Sequence, residues 1–184
     1  QLRNWNGETL STEEQQDMFD GLKKVNDLHS LAVFQHYFGL PEAGASYAAA
    51  LQALEKESRR APGRYALCLS DYGRWLASVG QPRKACAQYE QARDVISNIN
   101  AAPLFHVTSF CLDADSRRKL GEWSKAEKSL QTAHDLVKQH LDESHPLAAH
   151  IHRRFAWLYM DQWRLTEARH HFEEANRAGL LPAK

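Results

Sequence analysis

One alanine-centred cassette occurs four times in this chain at an almost constant interval, and that constrains the fold more than any single residue does. It reads Ala43-x3-Tyr47-x2-Ala50, Ala85-x3-Tyr89-x2-Ala92, Ala126-x3-Leu130-x2-Ala133 and Ala168-x3-Phe172-x2-Ala175, with leading alanines 42, 41 and 42 residues apart. Small residues seven apart with a bulky one between them share one face of a helix. The small ones let a neighbouring helix approach, and the ring or leucine fills the gap. A fixed period in the range of about 20 to 50 residues is the mark of a stacked repeat array.

The half of each unit before its cassette repeats too. Leu69-x2-Tyr72-Gly73-x2-Leu76-x3-Gly80 precedes the second cassette, Phe110-x3-Ala114-x5-Leu120-Gly121-x-Trp123 the third, and Phe155-Ala156-x2-Tyr159-x3-Trp163 the fourth. Each reads as an amphipathic helix with a small residue on its packing face. Gly39, Gly80 and Gly121 fall at the following turn, where a left-handed stop is easiest for glycine. Pro41 and Pro82 follow at the expected start of the cassette helix, where a missing amide donor costs nothing. Pro62, Pro103 and Pro146 mark the boundary between one unit and the next. Turn chemistry and core pattern therefore share one period.

These residues resemble the tetratricopeptide repeat, a helix pair with a small residue in its first helix, glycine at the turn, and alanine, an aromatic and alanine in the second. The usual unit is about 34 residues; the longer period here, with Ser144-His145-Pro146-Leu147-Ala148 opening the last unit, is similar to the kinesin light chain type of repeat. The resemblance spans roughly residues 26 to 178. It implies an all-α fold, a right-handed superhelical solenoid of about four antiparallel helix pairs at roughly 26–60, 61–101, 102–143 and 144–180. Residues 1–25 are expected to form a capping helix, starting near Ser11-Thr12-Glu13-Glu14, where a hydroxyl caps free amides and carboxylates suit the helix dipole.

Composition narrows the function. Lysine plus arginine and aspartate plus glutamate are 23 each, which gives no electrostatic case for nucleic acid or an anionic membrane. No apolar run of about 20 residues is present, so no membrane insertion is expected. Cys68, Cys86 and Cys111 lack metal-like spacing and read as small buried hydrophobes in a reducing, cytoplasmic setting; a Cys68–Cys86 bridge is the alternative. The chain has no nucleophile elbow, phosphate-cradling glycine loop or zinc helix, so no enzyme, cofactor or metal site is expected. Of the ten histidines, His140, His145, His150 and His152 bracket the last inter-unit turn and His170 and His171 are adjacent; all read as solvated surface. Glu173 and Glu174 read as a solvated face in the same way. In the third unit Asp113 and Arg117 stand where the second has Tyr72 and Leu76 and the fourth Phe155 and Tyr159. Four apart on a helix, they can form a partly buried pair holding neighbouring helices in register, or meet a partner where the unit is open.

In the family that this chain resembles, the first helix of each pair lines a concave groove. The resemblance carries that role to His29, His36, Ser70, Arg74, Asp115, Arg118, Lys119, His150, Arg153 and Trp157. The set is basic with one aromatic, which suits an acidic protein or peptide partner. The lysine and asparagine clamp that some chaperone cofactors use for a terminal carboxylate is not reproduced; its places hold Ser70, Arg74, Cys111 and Asp115. A protein-binding scaffold is the expected function. The alternatives are a regulatory or sensor module of a larger signalling protein, and a self-association module that pairs as a homodimer through the C-terminal apolar end formed by Leu165, Phe172, Leu180 and Leu181.

Overall fold

The computed structural model describes residues 11, 13, 27–56, 58, 61–97, 103–141 and 145–180. The capping helix expected in 1–25 lies outside these residues but for positions 11 and 13, and Leu181 lies outside them too. Eight α-helices occur among the described residues: α1 (Leu28–Tyr37), α2 (Ala43–Glu55), α3 (Pro62–Ser78), α4 (Pro82–Ile96), α5 (Pro103–Lys119), α6 (Trp123–His140), α7 (Pro146–Asp161) and α8 (Leu165–Leu180). The protein is all-α, and none of these helices is long and apolar enough to cross a membrane.

Local chemistry sets the helix ends. Pro62, Pro82, Pro103 and Pro146 each occupy the first helical position, where φ is already suitable and no amide is lost. Pro41 lies instead in the turn before α2, which begins at Ala43. Asp27 caps α1 by accepting from the Ser30 amide at 3.1 Å, and the His145 ring caps α7 by accepting from the Leu147 amide at 3.2 Å. The turns inside the four pairs share one bond. The amides of Leu40, Gln81, Glu122 and Arg164 donate to the carbonyls of Gln35, Leu76, Arg117 and Tyr159 at 2.8 to 3.0 Å, the six-to-one bond of a Schellman stop. The residue before each donor has positive φ: Gly39, Gly80 and Gly121 in three turns, and Trp163 at φ 59° in the fourth. Trp163, read together with the first helix of the fourth unit, is therefore a turn residue and is 85% exposed.

The cassettes form the core. All eight of their alanines are at most 2% exposed, and Tyr47, Tyr89 and Leu130 at most 1%. Gly73 permits a close approach, because a Cβ there would lie 2.5 Å from the Tyr89 ring. The closest partnerships are α1 with α2, α3 with α4, α5 with α6 and α7 with α8, and each pair touches the next through α2–α3, α4–α5 and α6–α7. The first helices also meet in a row, α1 with α3, α3 with α5 and α5 with α7, while among the described residues no two second helices touch.

Candidate functional site

The row of first helices carries all ten residues expected to meet a partner, so its side chains decide what that surface can do. Several of them join one unit to the next at close to the repeat spacing. His29 Nε2 lies 3.0 Å from Asp71 Oδ2, and His36 Nε2 lies 3.5 Å from Ser78 Oγ. Lys119 Nζ donates to the Ala77 carbonyl at 3.4 Å. Arg154 Nε donates to Asp115 Oδ2 at 3.0 Å, and Arg118 Nη1 to Asp161 Oδ2 at 2.5 Å. Partners 39 to 43 residues apart in the chain become neighbours because consecutive first helices lie side by side. Asp71, Arg154 and Asp161 were missed by sequence reasoning. Their signal was opposite charge one period away from a candidate, and it is weak without a known helix register.

This bonding redistributes the basic character of the surface. Asp115 and Arg118 are half-buried and matched within the chain. Ser70 is buried at 6% exposure, with no partner for its Oγ, so it does not belong to the accessible strip. His36 is half-buried, and burial followed by the nearby Arg74 charge holds its ring below the usual histidine range. Three of the ten expected residues are accessible cations. The Arg74 side chain is 59% exposed with Asp71 3.5 Å away, Lys119 is exposed, and Arg153 Nη2 lies 3.1 Å from His150 Nδ1. Burial, then Arg153 and Arg154, lower the His150 pKa and keep that ring an acceptor.

Beside Arg74 the strip is apolar. A hollow of about 620 Å³ opens between α1 and α3, lined by residues that include Val33, Tyr37, Leu67 and Asp71. Tyr37 is 82% exposed and Leu67 48%. At the far end, Trp157 on α7 is 51% exposed and meets Phe172 edge-on, with ring centres 5.9 Å apart. This surface can hold a side chain of either kind, apolar or acidic. All three cysteines are free and buried, and burial pushes their thiols up to about 12, 12 and 11 for Cys68, Cys86 and Cys111.

Two polar clusters lie away from the strip. Asp113, 1% exposed, accepts from Arg117 Nε and from Ser129 Oγ, both at 2.8 Å. Arg117 extends the network to Glu90 on α4 and to Glu122 at the start of α6. The pair thus ties three helices together, which is the buried reading of its sequence. In the last unit, His152 and His171 are half-buried and not the solvated surface residues expected; their Nδ1 atoms lie 2.9 Å apart, so one donates and the other accepts. His134 stands edge-on to His152, and His171 stacks on Phe155 with ring centres 4.7 Å apart. Burial, then His152, His170 and His134, depress His171 to about 4. Among the described residues no group of three or more His, Cys, Asp or Glu is arranged to hold a metal ion. No family model and no curated protein matches the chain.

Proposed function

We propose that this chain is a solenoid of the tetratricopeptide type, acting as a scaffold that holds an acidic protein segment along its row of first helices. The observation that carries the reading is the accessible apolar hollow between α1 and α3 with Arg74 at its side. First helices that touch while second helices stand apart favour a curved array with the first helices inside. On that inner strip Tyr37 and Leu67 take an apolar side chain, and Arg74 and Lys119 take carboxylates one to several residues along the same segment. Binding requires no bond-making step; the affinity comes from the few anchors at the hollow.

A displayed library of random peptides, selected on the chain, tests this directly. The expected consensus pairs an apolar anchor with Asp or Glu, and Leu67→Asp or Arg74→Glu removes its binding while the melting temperature stays put. A consensus without acidic residues, or one indifferent to both substitutions, would overturn the proposal.

A further inference from the structure

The last helix pair presents a surface most of which the pairs before it cover, Arg74 at 59% side-chain exposure being the exception. At the repeat spacing, Arg153 takes the place of Ser70 and Cys111, Trp157 that of Arg74 and Asp115, and Met160 that of Ala77 and Arg118. Ser70 and Cys111 are 6% and 3% exposed, and Asp115 and Arg118 reach across to Arg154 and Asp161 on α7. On α7 the same three places are open: Arg153 is exposed, Trp157 51% and Met160 40% exposed. Phe172 follows the same rule. Its counterparts Tyr47, Tyr89 and Leu130 are at most 1% exposed, whereas Phe172 is only partly buried, against Trp157. The charged pair used between α5 and α7 is thus replaced, on α7, by tryptophan and methionine.

The charges around this face indicate what covers it. Arg153 and Asp161 lie one turn before and one turn after Trp157, so the three form a single stripe along α7. Two α7 helices crossing in opposite directions about a two-fold axis at Trp157 bring ring to ring and set each Arg153 against the other copy's Asp161. Such self-complementarity is what an isologous interface demands. The groups are available for it. Asp161 uses Oδ2 for Arg118 and is 39% exposed, and the Arg153 guanidinium meets the His150 ring. We propose that a second copy of this chain docks on this face, forming a two-fold dimer centred on Trp157 with Arg153–Asp161 pairs on either side.

Sedimentation equilibrium of the chain over a wide concentration range tests the proposal. The mass is expected to climb from 21.0 kDa toward twice that value. Trp157→Glu and Arg153→Asp should each raise the dimer dissociation constant by at least about tenfold, with helicity and melting retained. Because a two-fold axis places identical residues opposite each other, Trp157→Cys should give a disulfide-linked dimer through position 157 under mild oxidation. A monomer mass at every concentration, a dimer that Arg153→Asp and Trp157→Glu leave intact, or an oxidised Trp157→Cys chain without a 157–157 link would each overturn it. The peptide selection above reads α1 and α3, so either proposal can fail without the other.

Discussion

The third and fourth units bury polar side chains to different depths and by opposite means. In the third, a carboxylate and a guanidinium are taken out of water as ions and matched: Asp113 receives Arg117 and Ser129, and Arg117 goes on to Glu90 and Glu122. In the fourth, the same two places on the first helix hold Phe155 and Tyr159, and the polar groups are imidazoles: His171 stacks on Phe155, lies tilted against Tyr159 and shares a hydrogen bond with His152. One fold position therefore accepts either an ion pair or an aromatic pair. What the structure requires there is volume, with any charge matched, not a particular residue type.

The largest effect is expected from breaking the charged version. Asp113→Ala leaves Arg117, 13% exposed, without its buried partner. Loss of a buried pair costs roughly 3 to 5 kcal/mol, and since Glu90 and Glu122 still hold Arg117 the cost should fall near the lower end, about 3 kcal/mol by denaturant unfolding. A loss under about 1 kcal/mol would place the pair with exposed ones. The comparison sharpens with the double change Asp113→Tyr and Arg117→Leu, which installs the second unit's residues. It should recover most of that loss, because a packed apolar pair commonly matches a buried ionic one.

Acid should strike the fourth unit first. His171 titrates near 4 in the folded chain against an ordinary 6.5, so the unfolded chain takes up the proton earlier as pH falls. The stability that neutral His171 permits is complete above about 6.5 and is lost as pH drops toward about 4. His152 is shifted the same way, by burial and then by His134. Hydrogen exchange at pH 5 is expected to show α7 and α8 opening before α3 and α4, and His171→Phe, which keeps the ring stacked on Phe155, should abolish most of the difference. Equal protection of all four helices at pH 5 would break the contrast between the units.

The smallest expected effect concerns the turn of the fourth unit. Trp163 holds the left-handed conformation that glycine holds in the other three, and its side chain is almost fully exposed. A non-glycine residue there costs roughly 1 kcal/mol or more in backbone sterics. Trp163→Gly should therefore raise the melting temperature by a few degrees, the equivalent of about 1 kcal/mol. A lower melting temperature would mean that the indole contributes more by contact than it costs by strain.

The helices, most of their ends and their buried faces were legible from the residues. Glycine, proline and the alanine spacing act over one or two turns, and a local rule needs no knowledge of the rest of the chain. Trp163 shows the limit of that rule. It shares the period of the turn glycines, but a tryptophan reads as core, and only its backbone angle assigns it to the turn. The histidines show the same limit from the other side: His134, His152 and His171 lie on three different helices, and no spacing in the sequence says that they converge.

What the sequence by itself determined is an all-α chain with a four-fold period, the left-handed stops at three of its turns, and the small residues that let its helices approach. Tertiary structure alone decided that Asp115 answers Arg154 and Arg118 answers Asp161, that Ser70 is covered, and that Trp157 is left open. The reason is geometric. Whether two side chains some 40 residues apart can pair depends on the rotation and offset of neighbouring helices, which arise only when every unit has packed on the next.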